Sequence, residues 1–202
     1  MNTEFRPTQK YPPLTDERLS LIAEALREVR NEALSLYAPL SGDNGWSHGC
    51  RVYARSCFRV GQLAQQHAWL RIVGEEPKLR FTFAIEGIPI RFYRGSPDDP
   101  PGNYLITTFG ELQQRQLFEG LHALDKILRL AIETDREGRV SSIKLVELDE
   151  VGNATGLYSI PVHATVSNTI PMEPKPIHLE PVALEPREDE EREKSNKKTK
   201  AR

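Results

Sequence analysis

Nothing in this sequence approaches the ~18 consecutive apolar residues of a membrane span. Its beginning, Met1-Asn2-Thr3-Glu4-Phe5-Arg6, also lacks the apolar block and small-residue cleavage site of a secretory leader. A cytoplasmic protein with no membrane partner is the expectation. Cysteine is scarce, with only Cys50 and Cys57. They lie in what reads as one helix, where a rise of ~1.5 Å per residue separates their backbones by about 10 Å. That exceeds disulfide reach, so reduced thiols are expected. Cys-x-x-Cys and His-x-x-x-His pairs are missing, which leaves no metal site to expect. The 13 glycines are scattered and form neither G-x-G-x-x-G nor G-x-x-x-x-G-K-[ST], so no nucleotide cofactor is expected either.

Apolar residues are also few, at 38% of 202, against ~45–50% in ordinary globular domains. The shortage is local. Residues 168–202 hold no aromatic residue and carry eight acidic and eight basic groups, with prolines spaced through them. Such a segment cannot bury enough apolar surface to offset an ordering entropy of roughly 1–2 kcal/mol per residue. Three regions follow: a flexible leader over residues 1–14, one domain over 15–167, and a disordered tail over 168–202 that is acidic and then basic.

Within the domain, Thr15 is a candidate N-cap followed by Asp16 and Glu17. Leu19, Ile22, Ala23, Leu26, Val29, Ala33 and Leu36 then mark a helix ending near Pro39. A second helix is expected over 47–67, with Cys50, Tyr53, Cys57, Val60 and Ala64 on its buried side. From Leu79 to Arg94, apolar and polar residues alternate around Glu86-Gly87, the pattern of a hairpin pairing Ile85 with Ile88 and Phe83 with Ile90. In that register Pro89 turns its missing N–H away from its partner, which predicts an open sheet edge. Thr108 with Glu111 has capping-box spacing and introduces a helix running to about Thr134, with a stripe at Leu117, Leu121, Leu124, Ile127, Leu128 and Ala131. A second hairpin is expected over 140–162. The class is α+β: two N-terminal helices, an antiparallel sheet built from two hairpins, and one long helix on its apolar face.

Charge is uneven along the chain. Residues 51–94 carry eight basic and three acidic groups, and residues 95–167 carry six and eleven. Arg51, Arg55 and Arg59 fall at i, i+4 and i+8, a row about 12 Å long on one helix face. Arg80 and Arg91 fall on the polar face of the first hairpin with Tyr93 among them, and cations interleaved with an aromatic suit sequence-independent contact with nucleic acid. A solvated helix face and a salt-bridged sheet face account for the same residues. The functional expectation is a non-catalytic binding or adaptor protein that engages nucleic acid or an acidic protein through this surface and the tail.

The alternative is a hydrolase centred on Cys50, at a helix start where the dipole lowers a thiol pKa, or on Asp98 and Asp99. No complete catalytic set supports it. His48, His67, His122 and His163 are equivalent candidates for a base, the acidic fragments around Asp98, Asp99 and Glu147 are common by chance, and a packed core role suits both cysteines. Oligomeric state cannot be read from these patterns.

Overall fold

The computed structural model describes residues 5–74, 80–117, 126–149 and 151–161. The elements are α1 (Pro7–Lys10), α2 (Asp16–Ser35), α3 (Gly45–Gln66), β1 (Leu70–Gly74), β2 (Thr82–Ile85), β3 (Ile88–Arg94), α4 (Gly102–Leu105), α5 (Phe109–Leu117), β4 (Ile127–Thr134), β5 (Val140–Leu148) and β6 (Ala154–Ser159). The strands form one six-stranded sheet in chain order, antiparallel except for β3 and β4, which run parallel. The class is therefore α+β. No helix among the described residues is long and apolar enough to cross a membrane.

Local chemistry sets the helix starts. The Thr15 hydroxyl accepts from the Arg18 amide at 3.4 Å. Asn44 accepts from the amides of Trp46 and Ser47, while the Ser47 hydroxyl accepts from the Asn44 amide. That reciprocal cap starts α3 at Gly45, slightly ahead of the expected position. The first hairpin takes the expected register, Ile85 opposite Ile88 and Phe83 opposite Ile90. Its turn holds Glu86 at φ 45° and Gly87 at φ 89°, a left-handed pair matching the twist of the strands.

One face of the sheet is sealed by α2 and α3. Phe83, Ile85, Ile90, Leu130 and Leu145 on the strands pack with Leu19, Ile22, Leu26 and Val60 on the helices. All nine are at most 1% exposed, and each contributes about 1.5–3 kcal/mol by leaving water. The other face is covered in part by the β3–β4 crossover, where Tyr104 and Leu105 lie on Tyr93, Ile127 and Val146.

Four expectations are corrected. The helix begun by the Thr108 cap does not reach Thr134, because residues 127–134 form β4, buried between β3 and β5. The apolar positions of this run satisfy both periods. The tie is broken by β3, whose second side needs a partner, and central strands buried on both faces read as near-continuous apolar runs. Leu121 and Leu124 of the expected stripe lie outside the described residues. Pro89 does not mark an open edge either: β4 pairs with β3 from Ile90 onward, one residue past the proline. Nor is the leader loose where it is described. Pro7–Lys10 is a helical turn, Tyr11 and Leu14 are buried, and the Phe5 amide donates to the Leu157 carbonyl at 3.2 Å on β6. The fourth concerns Cys50, which is exposed, whereas Cys57 is half-buried. The second hairpin, β5 with β6, is as expected, and the tail lies outside the described residues.

Candidate functional site

The arginine row of α3 faces α2, not solvent alone. Arg51 Nη2 donates to Asp43 Oδ1 at 2.9 Å, Arg55 Nη1 to Glu32 Oε1 at 2.9 Å, and Arg59 Nη2 stands 3.8 Å from Glu28 Oε2. Asp43 is held below the usual aspartate range by the Ala38 amide first and Arg51 second. Each guanidinium of the row thus has its own carboxylate. Exposed pairs of this kind add little to stability, and each sets a negative charge beside its cation. Arg80 is exposed at the entry to β2, and Asp98 and Asp99 are exposed in the loop after β3.

Arg91 and Tyr93 depart furthest from expectation, being 1% and 2% exposed. They do point to the sheet face opposite α2 and α3, as the alternation requires, but the crossover covers that face. Arg91 Nη1 donates to the Ile106 carbonyl at 3.0 Å, and Arg129 Nε on the neighbouring strand donates to the Tyr104 carbonyl at 2.8 Å. The two arginines thereby satisfy carbonyls at the end of α4 that the helix leaves without partners. Between them lies Glu111, 2% exposed, which accepts from Arg129 Nη1 and stands 3.9 Å from Arg91 Nη1. Its other oxygen accepts from the Thr108 amide at 2.7 Å, and the Thr108 hydroxyl accepts from the Glu111 amide at 3.2 Å, completing the capping box read from sequence. The Tyr104 ring sits 4.8 Å from the Arg91 guanidinium and 5.4 Å from the Tyr93 ring.

Tyr104 also faces a cleft of about 380 Å³ at the carboxyl ends of the parallel pair β3 and β4, bounded by α2 and the first half of α3. Tyr53 of α3 is part of its lining. In the register of the first hairpin, Phe81 would pair with Phe92 as the next hydrogen-bonded step, yet the ladder stops at Phe83 and Ile90. The Phe81 amide donates to the Tyr53 hydroxyl instead, at 3.1 Å, which ties α3 to the chain entering β2, while the Phe81 and Phe92 rings stay 6.2 Å apart. Burial pushes the Tyr53 phenol far above its usual range. It remains a neutral acceptor.

Leu26, Phe92 and Ile132 give the cleft an apolar wall, and Trp46, 78% exposed, stands at its rim. Gly45 and Gly49 lie one turn apart along α3, and a Cβ added to either would meet nothing within 4 Å. Three polar groups enter this space. The Ser56 hydroxyl belongs to a residue of the lining that is 1% exposed. Arg30, 4% exposed, donates from Nε to the Gly138 carbonyl at 2.6 Å. Arg94, the exposed last residue of β3, is the third. Neither Arg30 nor Arg94 has an ion-pair partner among the described residues. Burial first and the Arg94 charge second hold the Arg30 guanidinium below its usual value, with Asp135 acting the other way.

The groups nominated for hydrolysis are not gathered here. Cys50 lines the cleft without a histidine beside it in the lining. His48 is buried at the α2–α3 junction, its ring 5.5 Å from that of Tyr37, and neither ring nitrogen has a partner among the described residues. Among those residues, no cluster of three metal-ligating side chains forms.

Sequence reasoning passed over Arg30, Arg94, Glu111 as a buried acid, and Arg129. A signal was present for two of them. Arg30 sits four residues after Leu26 and three before Ala33, inside the apolar stripe of α2, and Arg129 interrupts the run Ile127-Leu128-Arg129-Leu130-Ala131-Ile132. A cation where the pattern reserves core is held there by a specific partner. No protein-family model, curated protein or solved structure matches this chain.

Proposed function

We propose that the chain is a non-catalytic binding module for an anionic partner, and that the anionic group is taken up at Arg30 and Arg94 instead of along the arginine row of α3. One contrast carries this reading. The row arginines each face a carboxylate of the chain itself, whereas Arg30 and Arg94 share a cleft with no carboxylate paired to either among the described residues. Two like charges brought together raise the energy of the empty site, and a bound carboxylate or phosphate relieves it. A guanidinium offers a planar fork of donors, and two of them can grip such a group from two directions. A fold that buries one of the pair and presents the other to solvent suits recognition, and the charged groups lining the cleft among the described residues are donors.

The test is an NMR titration of the arginine Nε–H signals with inorganic phosphate, each signal assigned from its lysine variant. Saturable shifts at Arg30 and Arg94, with Arg51, Arg55 and Arg59 moving only in proportion to ionic strength, are the expected result. Saturation at the row with a silent Arg30 and Arg94 would return the site to α3 and overturn the proposal.

A further inference from the structure

We infer that the ligand of this cleft is an aromatic organic acid, its carboxylate held by Arg30 and Arg94 and its ring system lodged between α3 and the ends of β3 and β4. The inference rests on the anion-binding reading above and adds the body of the ligand to its charge. A polyanion needs a row of cations on an open surface and gains nothing from an apolar wall. This site is built the other way, with its two cations beside a recess of about 380 Å³. That volume lies within the range of small-molecule pockets, which are mostly apolar with a few convergent polar groups.

The lining selects a ring over an aliphatic chain. Tyr53, Phe92 and Tyr104 present aromatic surface to the space, and Tyr53 and Phe92 already meet at 5.7 Å between centroids, tilted by 42°. A further ring would extend that arrangement by edge-to-face contact. Gly45 and Gly49 keep the α3 side of the recess clear of side chains. The Ser56 hydroxyl, on a nearly buried residue of the lining, offers the ligand body one polar contact.

Two naphthalene dyes separate the contributions in the full chain. They are 1-anilinonaphthalene-8-sulfonate, whose sulfonate stands in for the carboxylate, and N-phenyl-1-naphthylamine, the same body without charge. The anionic dye is expected to saturate one site and to bind about tenfold or more tightly than the neutral one, the difference made by charge-assisted bonds. Arg94→Ala should weaken the anionic dye about tenfold and leave the neutral dye unchanged. Gly49→Leu, which adds a side chain in open space and improves helix propensity, should abolish binding of both. Near-ultraviolet circular dichroism of each variant guards against dye uptake by a loosened core.

Equal affinity for the two dyes would overturn the inference, as would an unchanged affinity in Gly49→Leu. Decanoate binding without dye binding would make the body aliphatic and equally overturn it. Phosphate shifts at Arg30 and Arg94 with no dye binding would sink the aromatic class but leave the anion site standing. Silence to phosphate and dyes alike would remove both.

Discussion

Arg91 and Arg129 stand directly opposite each other on the parallel strands β3 and β4, and the carboxylate of Glu111 lies between their guanidiniums. All three residues are at most 2% exposed. Two buried cations in register would drive these strands apart if α5 did not bring its acid to them. The ion cluster therefore ties the crossover helix to the centre of the sheet, and through Tyr104 it fixes one wall of the cleft.

Removing the shared acid should be among the most damaging single changes in the protein. Glu111→Gln is expected to cost about 3–5 kcal/mol of unfolding free energy, because it removes the negative charge that two buried guanidiniums face. Replacing all three residues together, Arg91→Met with Glu111→Leu and Arg129→Met, should restore most of the loss, since an apolar cluster has no desolvation penalty to recover. Urea unfolding of both variants checks this. Similar losses in the two would mean that the carbonyl contacts of the arginines with α4 dominate.

Tyr53→Phe isolates the hydroxyl that ends the first hairpin. The Phe81 amide would lose its acceptor, and a buried donor left unsatisfied costs about 1–3 kcal/mol. Hydrogen exchange should accelerate at Phe81 while the amides of Phe83 and Ile85 keep their protection. If exchange at Phe81 is unaltered, that amide finds another acceptor and the account of the ladder's end fails.

Glu147 couples stability to acid. Burial pushes its carboxyl up, but bonds from Lys10 at 2.6 Å, Tyr11 at 2.8 Å and Thr155 at 2.9 Å outweigh burial and hold it below the ordinary 4.5. A depressed carboxylate adds stability that is complete above 4.5 and lost as the pH falls through the folded value. Glu147→Gln should therefore be less stable than the parent at neutral pH, with the gap closing in acid. Urea midpoints across this range provide the measurement, and a gap that persists in strong acid would assign the effect to packing.

His48 gives a second pH dependence, in a higher window. Burial first, then the charges of Arg30, Arg51 and Arg94, lower its pKa from 6.5, with Asp43 opposing. The unfolded chain takes up the proton before the folded one does, so this stability is full above 6.5 and declines as the pH falls toward the lowered folded value. In His48→Phe, which keeps a ring against Tyr37, the decline should disappear from thermal unfolding midpoints. A decline that survives the substitution belongs to another group.

What could be read from residue order alone was whatever nearby residues decide between themselves. Alternation from Phe81 to Phe92 dictated the register of the first hairpin, since a slip by one residue would turn every isoleucine to the wrong face. The stripe from Leu19 to Ala33 dictated α2, and the spacing of Thr108 and Glu111 dictated a helix cap. Each of these is a contact over a few residues or a period within one element.

Tertiary structure decided the rest. Ile127 to Thr134 satisfies a helical and a strand period alike, and it became a strand because β3 offered it an unpaired side. The arginines were sorted by partners far away in sequence: Arg55 by Glu32, Arg91 and Arg129 by Glu111, with Arg30 and Arg94 left in the cleft with no ion pair among the described residues. A charge carries no local preference strong enough to place it, because its energy depends on the distance to other charges and to water, and those distances exist only once the chain has folded.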